Sequence, residues 1–192
     1  MTPRRRTGIA LLLLAVAAIA FQQGATRSWG FADVPAGDRI IVSPIGLVRA
    51  DGEAPHAPIA ECRWWPRLGD PELCAPADGT SAMAWVRRAY PLAVAAIWTA
   101  VLALFLNALR IPRSLPSLGV LAAAAAASLG ALAIWSLLGH APDALAVLAG
   151  STLGVTTAGF AAMGIGTVAA ATAALLLAGQ RREPAVRLEV TG

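Results

Sequence analysis

TGIALLLLAVAAIAFQQGA, residues 7–25, runs without a charged residue, and its two possible readings lead to different folds. Arg4, Arg5 and Arg6 before it, its short apolar centre and Ala18-Ile19-Ala20 together outline a secretory signal peptide with a small-residue cleavage site. Cleaved there, the chain would keep three membrane crossings. Phe21 to Ala25, however, carry the run toward the roughly 20 residues that a bilayer requires. We therefore read it as a retained helix. The arginines are a weak twin-arginine signal, because Thr7 and Gly8 do not continue that motif.

Three further apolar stretches lie at 91–109, 117–138 and within 144–179. Hydrophobic residues make up 57% of the chain and charged residues 14%, far from the balance of a soluble domain. The last stretch is too long for one ordinary span. Counting back about 23 residues from Gln180 and Arg181 puts the crossing at 156–179, and leaves 144–151 as a short outer helix or an extension of the span. The expected fold is membrane α-helical, a four-helix transmembrane bundle with a small disulfide-stapled, β-rich extracellular head between helices 1 and 2. Its expected divisions are 1–25, 26–88 (the head), 89–109, 110–116, 117–138, 139–155, 156–179 and 180–192.

Arginines orient the bundle. Arg4 to Arg6, then Arg110 and Arg113, then Arg181, Arg182 and Arg187 fall at three sites that share one side of a four-crossing chain. The positive-inside rule makes that side cytoplasmic. Both termini are then inside and 26–88 is outside, in a plasma or bacterial inner membrane. The head's seven arginines do not oppose this, because eight acids accompany them and long loops are translocated largely regardless of charge. The net charge of +4 comes mainly from the cytoplasmic flanks. That favours anionic lipid headgroups as partners over nucleic acid.

No ionisable residue lies at the centre of any expected span. Pumps, proton relays and carriers of charged substrates place such groups there because they do the work, so active transport is not expected. Asn107, His140 and Asp143 read as interfacial or capping residues, and Trp98 and Trp135 as packing or belt residues rather than cofactor contacts. Small residues stand out instead. Gly119, Ala123 and Ala127 recur every four positions, and Gly150 and Gly154 form a GxxxG pair, the spacing that lets helix backbones approach closely.

The 26–88 interval holds both cysteines, eight of the eleven acids and four of the six tryptophans. Cys62 and Cys74 are an even pair in an oxidising compartment, which favours a disulfide contributing about 3 kcal/mol in the chain-entropy model. A zinc site would need more ligands than His56 adds, and a redox-active pair would more naturally read Cys-x-x-Cys. Residues 39–43 and 45–49, separated by Pro44 and followed by Asp51-Gly52, have the β-branched content and turn punctuation of short strands. A further strand at 60–65 would end in Trp64-Trp65, an aromatic pair that lines the sheet, rests on the interface or serves as an exposed recognition patch. A head this small does not rely on core burial alone.

With Trp29 soon after the first helix, Gly46-Leu47 beyond it, Cys62 and Cys74, and Arg87-Arg88 just ahead of the second helix, the chain resembles the claudin and peripheral myelin protein superfamily. The resemblance covers the whole topology and rests on few residues. It implies four crossings, cytoplasmic termini, and a large first extracellular segment whose Trp, Gly-Leu-Trp and paired cysteines shape the head. The pattern departs from the family at Val48, where a second Trp is expected, in the long spacing from Leu47 to Cys62, and in the short second outer connection. Pore-lining or receptor roles are not carried over.

The leading functional expectation is a non-enzymatic, claudin-like tetraspan that engages a neighbouring protein, or a copy of itself, through its head. Trp29, Gly46, Leu47, Trp64, Trp65 and Arg88 are its candidate recognition or packing residues. Two alternatives stand beside it: an accessory subunit of a larger respiratory or photosynthetic membrane complex, and a quinone-linked thiol oxidoreductase. The last needs a reactive cysteine pair and usually a second pair to relay electrons, and the chain has one distant pair. With two histidines in loop or turn contexts, no hydrolytic grouping is expected either. No metal, cofactor or small-molecule substrate is expected.

Overall fold

A computed structural model of the chain describes residues 2–27, 29–33, 39–42, 46–50, 62–63, 81–109, 116–140, 153–155 and 157–179. Four long helices dominate it: α1 (Pro3–Thr26), α2 (Ser81–Ala108), α3 (Pro116–Leu138) and α4 (Thr157–Gly179). Each contains a stretch long and apolar enough to cross a membrane, at Arg4–Thr26, Arg88–Ala108, Leu118–Leu138 and Ala158–Gly179. The molecule is an integral membrane protein built as a helical bundle.

Local chemistry explains where the helices begin and end. Pro3 and Pro116 sit at helix starts, where a missing N–H costs nothing. At the end of α1 the Thr26 hydroxyl donates back to the Gln22 and Gln23 carbonyls. Arg27 then turns to extended backbone while its amide donates to the Gln23 carbonyl. α2 begins at Ser81, ahead of the expected boundary at 89, and contains Pro91. That proline cannot donate to the Arg87 carbonyl, so the helix ladder loses one bond close to where the apolar span begins.

Two buried clusters fix the helix directions. One joins Ala10 and Leu14 of α1 with Ala103 of α2, Ala123 of α3, and Ala173 and Leu177 of α4. The other joins Ala17, Phe21 and Ala25 with Ala89 to Ala100, Ala126 to Leu137, and Met163 to Ala170. Early residues of α1 and α3 thus share an end with late residues of α2 and α4, as up-down-up-down topology requires. α1 packs on α2 and α4, and α3 packs on the same two, so α2 and α4 occupy opposite corners.

The inward faces follow one spacing. α1 buries Ala10, Leu14, Ala17, Phe21 and Gly24; α2 buries Ala89, Ala93, Ala96, Ala100 and Ala103; α3 buries Gly119, Ala123, Ala126, Gly130, Ala133 and Leu137; α4 buries Gly159, Met163, Gly166, Ala170, Ala173 and Leu177. Steps of four and three alternate throughout, which is the 3.5-residue period of left-handed helix packing. The four-residue stripe expected on α3 is corrected accordingly: Gly119 and Ala123 lie on the seam, the next seam residue is Ala126, and Ala127 is only partly buried beside it. Large residues face outward instead, with Leu12, Ile19, Leu121, Val168 and Leu175 all exposed. Lipid tails solvate leucine as well as a protein core does, so helices in a bilayer gain by close approach along small residues rather than by hiding large ones.

Short strands lie between the helices. β1 (Gly30–Asp33), β2 (Arg39–Val42), β3 (Gly46–Ala50), β4 (Cys62–Arg63) and β5 (Leu153–Val155) form an antiparallel sheet in the order β4-β3-β2-β1-β5. β1 leaves α1 and β5 leads into α4. Their pairing, from Gly30 opposite Val155 to Ala32 opposite Leu153, draws the first and last connections together at one end of the bundle. Gly154 therefore pairs with Phe31 in a strand and presents no helix face. This corrects the expected Gly150 and Gly154 helix-packing pair: four-residue spacing aligns side chains only in a helix, and Gly154 stands in a strand beside Val155, a β-branched residue that suits extended chain. Gly150 and the expected outer helix at 144–151 lie outside the described residues.

Candidate functional site

Trp29 is the joint between bundle and sheet. It follows the last turn of α1 by two residues, is 1% exposed, and belongs to the same buried cluster as Phe21, Ala25, Ala89 and Leu137. Its indole Nε1–H donates to the Gly24 carbonyl at 2.6 Å. That carbonyl is one of the last in the helix, where the ladder supplies no donor, so the tryptophan both closes the end of the bundle and caps α1. Of the two roles open to it, recognition or packing, Trp29 has the geometry of packing.

Beyond the joint, strand register brings several singled-out residues together. Leu47 stands opposite Val42 on one side and Cys62 on the other, and Gly46 stands opposite Arg63. Gly46, Leu47 and Cys62 thus meet at the β3–β4 edge of the sheet, although fifteen positions separate Leu47 from Cys62. Trp64, Trp65 and Cys74 lie outside the described residues. Arg88 is exposed where the α2 span begins.

The bundle below holds little chemistry. Ser136 is the one buried polar side chain among the described residues, and its hydroxyl donates to the Leu132 carbonyl. Thr99, Thr167 and Thr172 donate to the carbonyls of Ala95, Met163 and Val168 in the same way, which satisfies each hydroxyl within its own helix. Asn107 bonds the Ala103 carbonyl and also fills a notch at Gly119, where an added Cβ would lie 2.5 Å from its amide nitrogen. Gly119 is a packing glycine, then, but what packs against it is an amide side chain. Among the described residues no group of three or more His, Cys, Asp or Glu could hold a metal ion.

One feature of the interior escaped the sequence reading. Phe21 is fully buried between Gly130 of α3 and Gly166 of α4; a Cβ at either glycine would come within 2.6 Å of its ring. A ring in a slot cut by two glycines joins three helices through packing. The signal was present as Gly130 and Gly166 on 3-4 spacing, but nothing in the sequence says which aromatic fills the slot. The alanine seam of α2 could also have been read, from five alanines alternating at steps of four and three.

No protein-family model matches this sequence, and no curated protein matches it significantly.

Proposed function

We propose that the chain is a non-enzymatic, claudin-like tetraspan of a plasma or bacterial inner membrane, with both termini cytoplasmic and a disulfide-stapled β-rich head at 26–88 that engages a neighbouring protein outside. The observation that carries this reading is the sheet at the end of the bundle where α1 stops and α4 starts. It ties the first connection to the last through β1 and β5, and four of its strands belong to the 26–88 interval that holds both cysteines and eight of the eleven acids. The same end also holds Gly46, Leu47 and Cys62 in register. Below it, a seam of alanine and glycine with no described buried charge suits a scaffold better than a transport path.

In native membranes, a membrane-impermeant crosslinker should join the head to one defined partner or to a second copy, and recovery of monomer alone would count against the reading. Comigration with a large complex in fixed stoichiometry would favour the accessory-subunit role instead. The cysteines test the head separately. Cys62→Ser or Cys74→Ser should lower the stability of the head by about 3 kcal/mol, read as faster proteolysis between α1 and α2. A head that stays equally resistant while a thiol-oxidation activity disappears would support the redox alternative.

A further inference from the structure

Trp98 is the central residue of the α2 span Arg88–Ala108 and is 68% exposed. Among the described residues its indole N–H has no hydrogen-bond partner, although tryptophans facing lipid ordinarily sit at the interfaces, where water and headgroups accept that bond. At mid-bilayer neither is present. On another side of the bundle, Leu13 and Val16 of α1 with Phe160, Gly164, Val168 and Thr172 of α4 line an open apolar cleft of about 560 Å³. The cleft is centred near position 166, and the α4 span near 168 and 169, so cleft and tryptophan share a depth to within about 4 Å at 1.5 Å per residue. A Cβ on Gly164 would meet nothing within 4 Å, so the glycine keeps this cleft open without serving any contact inside the monomer. Thr172 is the polar residue of the lining. Its proton goes to the Val168 carbonyl, which leaves the oxygen lone pairs free to accept.

We propose that Trp98 of one copy seats in the α1–α4 cleft of a second copy, its N–H turned toward the Thr172 hydroxyl. A second copy is the partner these features favour, because it arrives in the same orientation, with a donor and a large flat side chain at the depth where the first copy has an acceptor and a cleft. α2 and α4 stand at opposite corners, so the contact is heterologous and propagates into a ring or a row within the membrane. It depends on the helices lying in a bilayer and is independent of what the head binds.

The test uses the full-length protein in phosphatidylcholine–phosphatidylglycerol vesicles, with oligomer size read by single-molecule photobleaching as protein density is raised. Wild type should grow beyond dimers. Trp98→Ala and Gly164→Leu should each weaken association by at least about tenfold, and Trp98→Phe, which keeps the ring and loses the N–H, by about threefold. Mixing Trp98→Ala with Gly164→Leu should give dimers and nothing larger, since one retains only the cleft and the other only the tryptophan. Trp98 is largely exposed and a Cβ at Gly164 would meet nothing within 4 Å, so both variants should keep wild-type helicity. The proposal is overturned if wild type is monomeric at every density, as it would be with acyl chains filling the cleft. It is equally overturned if Gly164→Leu associates like wild type, which would place α2 against α2, or if the mixture stays monomeric. A head that still crosslinks its partner in any of these cases leaves the proposed function standing.

Discussion

Gly166→Ala tests whether the Phe21 slot holds the bundle together. The added Cβ would lie 2.6, 2.8 and 3.1 Å from Cδ1, Cε1 and Cγ of Phe21, against ordinary carbon contacts of about 3.5–4.0 Å. The ring cannot retreat, because the Gly130 position already lies 2.6 Å from Cε1 and 3.0 Å from Cζ on another side, again measured from an added Cβ. Overpacking of this kind costs about 1–3 kcal/mol, offset by the gain of about 1 kcal/mol in helix propensity over glycine, so a net loss of up to about 2 kcal/mol is expected. Phe21→Ala should cost about 2–3 kcal/mol, below the usual range for a buried phenylalanine, because lipid takes away the transfer term and leaves the lost dispersion contacts. In the double variant the new methyl group falls into the vacated space. Its overpacking cost should then vanish and leave the propensity gain, giving a coupling of about 1–3 kcal/mol. Reversible unfolding in mixed detergent and dodecyl sulfate micelles, followed by circular dichroism, measures all four proteins. Gly8→Ala, inside α1 where a Cβ would meet nothing within 4 Å, is the control and should show the propensity gain alone, a stabilisation of up to about 1 kcal/mol. If the Phe21 and Gly166 effects simply add, the slot is not what joins the helices.

Two further outcomes follow from the ends of α1. Trp29→Phe keeps the ring in the joint but removes the donor to the Gly24 carbonyl, and should lower stability by about 1 kcal/mol in the same micelle titration; an unchanged midpoint would show that the bond contributes nothing net. N-terminal sequencing of membrane-extracted protein should find residues ahead of Phe21 retained. A mature chain beginning at Phe21 would remove Ala10, Leu14 and Ala17 from the seam and refute the four-helix bundle.

The spans were legible because bilayer thickness sets a length that an uncharged run either reaches or does not, and the runs at 91–109 and 117–138 nearly coincide with the apolar helices found. The seam was legible in kind but not in period. Gly119, Ala123 and Ala127 look regular at four, yet burial passes from Ala123 to Ala126, because packed helices keep a 3.5-residue period and an alanine-rich run offers both spacings at once. β2 and β3 were readable from their β-branched residues around Pro44. β5 was not: Leu153-Gly154-Val155 is too short and too apolar to be told from the start of a helix, and what makes it a strand is β1, more than a hundred residues earlier in the chain. Trp98 shows the same limit. Its central place in the span is plain from sequence, but its exposure depends on which face α2 turns inward, and that is decided by the alanines around it.

Packing small residues inward has a consequence for recognition. With alanine and glycine along most of the seam, and Phe21 and a few other large residues buried among them, most of the interior offers little relief, and many of the large side chains, among them Leu12, Ile19, Trp98, Val168 and Leu175, lie on the lipid face. In water such a surface would aggregate; in lipid it is solvated, and only a feature that lipid solvates poorly can select a partner there. A cleft left open at Gly164 and an indole N–H at Trp98 with no acceptor among the described residues are two such features, and in the proposed contact both would work through shape and a single hydrogen bond rather than through apolar burial. Outside the bilayer the terms reverse. A small head in water does gain by burying apolar surface, but has too little of it, which is where a covalent tie between Cys62 and Cys74 would matter most. The two surfaces should therefore respond to different treatments. A reducing agent should loosen the head and leave association within the membrane intact, whereas Trp98→Ala should weaken that association at least about tenfold and leave the protease resistance of the head unchanged. A reductant that disperses the oligomers as well would mean that the head, and not the Trp98 contact, joins the copies.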